Sequence, residues 1–430
     1  MKSVLQIALD FTIKERALKV AREAVAGGVD WIEAGTPLIK SEGLDVVRGL
    51  RAEFPDHTIV ADMKIMDAGR IEVEAAAKAG ADIVDVLGAA ADETIEECVE
   101  TGQNYGAKIV VDLIAVRDPA ERAKQIEELG ADYIAVHTAI DEQMHGAEPF
   151  EIVRRVVEAV SVPVAVAGGI HAGTAASAVE AGASIVIVGG ALTKSQDVTA
   201  AARQIKTAIE TGQRFETVLY KRGGEADLRR IFSQVSTANI SDAMHRTPCL
   251  PGIRSIVPGA KLLGRAVTCR TYPGDFAKPV LAVDAASEGD VIVIDAGGVP
   301  PALWGELATH GAIEKELGGV VIDGAIRDVE DIRRMRFPAF SKHIASNAGE
   351  PKGFGEINVP VMIAGTKVFP GDWLVGDEDG VMVVPQKQAV ETSNRAMDVL
   401  EAENRLRREI EQGSTLGKVA QILRWEKQHQ

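Results

Sequence analysis

The sequence predicts an α/β protein of two domains: a (β/α)8 barrel in the N-terminal half and a mixed α/β domain behind it. Three observations carry this. Short runs rich in Val, Ile and Ala alternate with helical patterns eight times in roughly the first 210 residues. Gly-containing markers recur just before the next apolar run. The train stops near residue 212, and the second half shows strands separated by turn residues instead.

Size and composition agree. The chain has 430 residues, 46% of them hydrophobic and only 4% aromatic, with 42 glycines, which suits close helix–sheet packing in more than one core. A net charge of −16 argues against a non-specific nucleic-acid binder, which needs a positive face for phosphates. Cys98, Cys249 and Cys269 form no CxxC, so neither a disulfide framework nor a structural zinc site is expected. Asp10 interrupts the N-terminal apolar run where a signal peptide would continue, and no run is long enough to span a bilayer. A cytoplasmic protein without membrane or nucleic-acid partners is expected.

The strand candidates, in order, are Val4–Leu9, Trp31–Ala34, Thr58–Ala61, Ile83–Leu87, Lys108–Ile114, Tyr133–Val136, Pro163–Ala167 and Ile185–Val188. Near-continuous apolar runs suit parallel strands buried on both faces. The markers Ala-Gly-Gly-Val-Asp (26–30), Ala-Gly-Ala-Asp (79–82), Leu-Gly-Ala-Asp (129–132) and Ala-Gly-Ala-Ser (181–184) place a Gly where a helix ends. Eight such units make a TIM barrel.

Barrel chemistry sits at the C-terminal strand ends. Those ends carry Asp10, Glu33, Asp62 with Lys64, Asp85, Asp112, His137, Gly168-Gly169 and Gly189-Gly190. Asp62 and Lys64, two residues apart on a strand, share a face, with Asp67 in the loop beyond. Taken alone, this segment also reads as an exposed loop with a surface ion pair. Glu33 and Asp62, from neighbouring strands, suit a hard cation such as Mg2+. Lys64 among carboxylates stays charged and serves to stabilise developing negative charge rather than to form a Schiff base. His137 is suited to moving a proton near neutral pH; a packed strand-end histidine is the alternative. Gly168, Gly169, Gly189 and Gly190 end strands 7 and 8, where barrel loops often hold a phosphate through backbone N–H groups.

Residues 1–212 resemble 3-hexulose-6-phosphate synthase, in the orotidine-5'-phosphate decarboxylase superfamily. The likeness runs through Ala8-Leu9-Asp10, the stretch Glu33 to Leu38, the stretch Ala61 to Gly69 with its Asp-x-Lys-x-x-Asp motif, the stretch His137 to Gln143, Ala167-Gly168-Gly169-Ile170 and Gly189-Gly190-Ala191. The sister family, 3-keto-L-gulonate-6-phosphate decarboxylase, is the alternative. Its typical Glu, Arg, Thr and Arg stand where this chain has Asp112, Ile140, Ala167 and Gly190. The resemblance implies reversible aldol addition of formaldehyde to ribulose 5-phosphate. It implies Mg2+, or Mn2+ in its place, held by Glu33 and Asp62 against the enediolate oxygens, with Lys64 adding positive charge and His137 shuttling a proton. Asp10, Asp112 and Asp67 join the catalytic set, Asp67 by reaching across a dimer interface.

The pattern breaks over residues 213–224, the expected linker. A domain over 225–390 follows, then a helical tail over 391–430. Expected in the second domain are a helix from Glu225 to Val235, strands Leu262–Arg270, Val291–Asp295 and Val320–Ile322, and antiparallel strands within Val361–Val384 around the turns 370–372 and 376–380. Residues 391–411 read as an amphipathic, solvent-facing helix rich in Glu and Arg that packs on the body or on a partner. Gly305 to Thr309 precedes a helix whose N-terminal amides suit a carboxylate. Arg327-Asp328 ends a strand; Arg suits a carboxylate ligand and Asp a divalent metal, an ordinary structural pair being the alternative.

Residues 225–390 resemble the family that joins 4-hydroxy-4-methyl-2-oxoglutarate aldolase and the regulator of ribonuclease activity A. The likeness rests on Ile240 to Ala243, Gly289-Asp290-Val291, Ala296-Gly297-Gly298, Trp304 to Ala308 and Gly324 to Asp328. It implies a 2-oxo acid aldolase or decarboxylase site at Glu306, Arg327 and Asp328, or a non-catalytic ribonuclease-binding module. Glu306 stands where Asp is the better-known residue. The family implies a trimer, and a dimer-forming barrel joined to it implies a homo-oligomer such as a hexamer.

Overall fold

The structure, a computed structural model, describes residues 3–217 and 219–419. Of the expected tail, residues 420–430 lie outside the described residues. The chain divides into two units, residues 1–222 with 401–430 and residues 223–400.

In the first unit, eight strands close a parallel barrel in sequence order: β1 Val4–Leu9, β2 Trp31–Ala34, β3 Thr58–Ile65, β4 Ile83–Leu87, β5 Lys108–Asp112, β6 Tyr133–His137, β7 Val164–Ala167 and β8 Ile185–Val188. Parallel pairing of β1 with β8 completes the ring. Two cores hold it. One lies between strands and surrounding helices. The other fills the interior with Val60, Ile83, Val110, Ala135, Ala165 and Ile185. Two residues further along the same strands stand Asp62, Asp85, Asp112, His137, Ala167 and Ile187, which line the mouth. The two-residue period therefore runs each inward stripe from apolar floor to working rim.

The helix-end markers do two jobs. Gly80 takes φ 106° and caps the helix Gly69–Ala79 with its N–H. The Asp that ends three of these markers then clamps an earlier strand: Asp30, Asp82 and Asp132 accept the N–H of Leu5 (2.7 Å), Ile59 (2.8 Å) and Ile109 (2.8 Å). Register is thus written partly in the markers themselves.

β3 runs on to Ile65 rather than stopping at Ala61, because it bulges: its pairing with β4 shifts between Ala61 and Ile65, and Lys64 sits at φ 46°. β5 ends at Asp112, two residues earlier than expected. Short helices Thr36–Glu42, Ile140–Met144 and Gly190–Thr193 follow β2, β6 and β8.

The second unit is built on parallel strands Leu262–Arg270, Val291–Asp295, Gly319–Ile326 and Ala339–Ile344, with an antiparallel hairpin, Trp373–Asp377 and Gly380–Val384, on one edge. Apolar clusters cover both faces. The expected helix at 225–235 divides into a 3-10 turn Glu225–Asp227 and a helix Leu228–Gln234. The stretch after it forms a further helix, Thr237–Ala243, whose N-terminus Ser236 and Asn239 cap reciprocally.

The helix Ala389–Glu411 forms where expected and packs, but its buried side includes polar and charged residues. Thr392, Ser393, Asn394, Glu401, Arg405 and Glu409 are all buried. In the first unit, Glu401 pairs with Arg222, Arg405 with Glu23, and Glu409 with Arg405 and Arg16. Charge spacing that resembles a wet face is satisfied internally. Among the described residues, no helix is long and apolar enough to cross a membrane.

Candidate active site at the barrel mouth

A cleft of 520 Å³ opens at the C-terminal strand ends. It is lined by Asp10, Glu33, Asp62, Lys64, Asp85, Asp112, His137, Gly168, Gly169, Gly189 and Gly190, so all but one of the barrel residues singled out above converge here. The exception is Asp67, exposed in the loop after β3 and outside the lining. Ile140, Ala167 and Gly190, three of the four positions that separate the sister families, also line the cleft, as does the fourth, Asp112.

Asp112 is the hub. Its Oδ2 accepts from Lys64 Nζ at 2.9 Å and lies 2.9 Å from His137 Nδ1, while Oδ1 accepts the Ile114 N–H at 2.9 Å. Burial pushes this carboxyl up, but the hydrogen bonds from His137 and Lys64 and the Lys64 charge outweigh it and hold it below the usual range. Lys64 is likewise pulled two ways. Burial favours the neutral amine; Asp85, Asp62 and Asp112 more than offset this and keep the ammonium charged well beyond neutral pH. The bulge aims its Nζ between strands, 3.0 Å from Asp62 Oδ1 and within reach of Asp112. A left-handed lysine costs of order 1 kcal/mol or more, and such strain concentrates at working sites.

Glu33 and Asp85 are pushed well above the ordinary carboxylate range. Burial is the first cause for both; Asp62 and Asp10 add to it for Glu33, Asp62 and Asp112 for Asp85. Gln6 Nε2 donates to Glu33, and Thr36 donates its N–H (3.1 Å) and hydroxyl to Asp62 Oδ2. Asp62 Oδ1 and Asp85 Oδ1 are buried with no aligned donor, Lys64 being near Asp62 Oδ1 in distance only. Among the described residues, no three His, Cys, Asp or Glu side chains converge as a ready cage. Mg2+ needs no such cage: one or two carboxylates suffice beside water and substrate oxygens. Glu33, crowded by Asp62 and Asp10, and Asp62, whose Oδ1 lacks an aligned donor, would fit a divalent cation.

Gly168 must be glycine. It sits at φ 101°, and a Cβ there would stand 2.5 Å from Thr138 O, which already accepts from Gln143 Nε2 at 2.8 Å. Gln6, Tyr220 and Arg222 escaped sequence reasoning. Gln6 lies inside a strand, and Tyr220 and Arg222 follow the barrel in what reads as a linker.

In the second unit, Arg327 Nε lies 3.4 Å from Asp328 Oδ2, which accepts the Glu306 N–H at 3.1 Å. A carboxylate does occupy the start of the helix Glu306–Glu314, but it is the chain's own Asp328. A Cβ at Gly305 would meet that oxygen at 2.5 Å. Glu306 pairs with His310 at 2.9 Å. All three candidate residues remain partly exposed, and Leu307 beside them is 80% exposed.

Fold and cleft define a TIM-barrel protein whose strand ends gather a lysine, a histidine and a ring of acids. Through residues 3–205 the chain belongs to the orotidine 5'-phosphate decarboxylase / HUMPS family. Residues 237–383 match the RraA-like family, Aldolase/RraA. The 3-hexulose-6-phosphate synthase of Mycobacterium gastri is 42% identical over 205 residues, which are 48% of this chain and 99% of that one. The synthase of Staphylococcus epidermidis is 44% identical over 207 residues, 48% of this chain and 98% of its own. The solved structure of the RNA-processing inhibitor RraA from Thermus thermophilis is 30% identical, covers 35% of this chain and 93% of its own, and has a TM-score of 0.33. The N-terminal unit is thus like 3-hexulose-6-phosphate synthases, which are aldehyde-lyases, and the second unit is RraA-like.

Proposed function

We propose that the barrel is a Mg2+-dependent 3-hexulose-6-phosphate synthase, joining formaldehyde to ribulose 5-phosphate or releasing it in reverse. The observation that carries this reading is the single oxygen Asp112 Oδ2 shared by Lys64 and His137. With Asp112 ionised, His137 donates from Nδ1, leaving Nε2 as the lone-pair nitrogen toward the cleft. That nitrogen takes the proton from C1 of the ketose; the C1 carbanion equivalent attacks the formaldehyde carbon, and the new alkoxide on the former formaldehyde oxygen takes that proton back from His137. Lys64 supplies fixed positive charge where negative charge develops. A divalent ion on Glu33 and Asp62, Mg2+ or Mn2+, would supply Lewis-acid polarisation of the ketose oxygens. Gly168, Gly169, Gly189 and Gly190 would receive the phosphate, while Asp10 and Asp112 set the charge of the pocket. Exposed Asp67, flanked by Met66 (52% exposed) and Ile71 (72%), suits a barrel dimer in which Asp67 enters the partner's cleft. A reducing compartment such as the cytoplasm suits its free Cys98, Cys249 and Cys269.

For the second unit we propose a carboxylate-binding site at Arg327 with a divalent ion at Asp328 and Glu306, completed by a further copy, and 2-oxo acid cleavage as its chemistry. Failure to turn over any 2-oxo acid, with Arg327→Ala without effect, would leave a protein-binding module.

The barrel test is ribulose 5-phosphate plus formaldehyde and Mg2+ with the full chain, followed by NMR. A new hexulose phosphate that disappears in Lys64→Ala supports the reading. No product from folded enzyme, together with CO2 release from 3-keto-L-gulonate 6-phosphate, replaces it with the decarboxylase.

A further inference from the structure

The cleft has a wall that lies outside the family match. That match ends at residue 205, and 205 residues account for 99% of the Mycobacterium gastri synthase. Tyr220 and Arg222 come after it, yet both line the cleft together with Gly168, Gly169, Gly189 and Gly190. They are held from behind by Glu401, which is 0% exposed. Arg222 Nη1 and Nη2 donate to Glu401 Oε1 and Oε2 at 3.0 and 2.8 Å, and the Tyr220 N–H also donates to Oε1. Tyr220 Oη donates to the Lys194 carbonyl at 3.1 Å, tying the segment to the loop after β8. The field of this wall reaches the loop after β7. There His171 is pushed down to about 4, first by burial and then by Arg222 and Lys221.

We propose that Arg222 binds the phosphate monoester of the barrel's substrate, with Glu401 as its positioning residue. The inference rests on the reading of the cleft as a sugar-phosphate site. A guanidinium offers planar donors matched to phosphate oxygens, and an end-on carboxylate fixes its plane at little cost in rotamer freedom. Glycine loops supply N–H donors without net charge; Arg222 supplies the charge. The helix that bears Glu401 thereby becomes part of the barrel's substrate recognition.

The experiment uses the full chain and ribulose 5-phosphate, with KM, kcat and calorimetric Kd as readouts. Arg222→Gln alone leaves Glu401 buried and unpaired, so the double variant Arg222→Gln/Glu401→Gln is the decisive one. Expected are KM and Kd raised about tenfold or more with kcat within about threefold, the pattern of lost ground-state binding. Glu401→Gln should show a smaller rise, and Arg222→Lys should recover part of the affinity. A folded double variant with KM and Kd within about twofold of an active wild type overturns the role of Arg222 while the synthase reading stands. A wild type that neither binds nor converts ribulose 5-phosphate overturns both.

Discussion

His137 Nδ1 lies 2.9 Å from Asp112 Oδ2, across neighbouring strand ends, and this contact sets which histidine nitrogen faces the cleft. Asp112→Asn keeps the shape but removes the charge that orients the ring and balances Lys64. A kcat loss of about 10²–10⁴ with little change in thermal stability is expected. Steady-state kinetics beside a melting curve checks it; a loss below about tenfold would show that His137 needs no anionic partner.

Lys64 is the charge between Asp62, Asp85 and Asp112. Lys64→Ala should lower kcat by about 10²–10³ or more while the barrel still folds. Retention of more than a few per cent of activity, in a variant whose circular dichroism matches wild type, would refute its electrostatic role.

Crowded acids at Glu33 and Asp62 should respond to a cation even without substrate. Chelator-treated protein is expected to be inactive and to regain activity with Mg2+. Its melting temperature should rise with added Mg2+, and this rise should vanish in Asp62→Ala. Full activity in excess EDTA would eliminate the metal.

His171 is buried and its Nδ1 accepts the Gly173 N–H at 3.1 Å, so the folded protein holds it neutral. Its value is about 4 against 6.5 for the ordinary side chain. Between these the unfolded chain binds more protons, so stability is complete above about pH 6.5 and falls as pH drops toward 4. The contribution lost at pH 5 is about 2 kcal/mol. Denaturant melts at pH 7.5 and pH 5, on wild type and His171→Asn, measure it: the pH dependence should be shallower in the variant by roughly that amount.

Much of the barrel was legible because its signals are local. The inward period places Val60 and Asp62, Ile83 and Asp85, and Val110 and Asp112 on single faces whatever the neighbours do. The bulge at Lys64 was not legible. Regular alternation already put Lys64 beside Asp62, but the left-handed turn that brings it to Asp112 follows from pairing with β4. In the second unit, the strands Leu262–Arg270 and Val291–Asp295 were legible, while the strand Ala339–Ile344 and the helix Thr237–Ala243 were not; the helix's polar residues cap and turn rather than repeat at helical period.

The chain by itself determined the barrel, its strand order and which polar residues stand at the rim, since apolar runs, helix-ending glycines and strand-end acids each act over a few residues. Only the tertiary structure decided what Arg222 and the helix Ala389–Glu411 do. Glu401, Arg405 and Glu409 look like a solvated stripe because a charged residue is cheap in water and costly inside unless paired. Their partners Arg222, Glu23 and Arg16 lie some 180 to 390 positions away. No local pattern encodes a pairing across that distance; it exists once the fold has brought both charges out of water together.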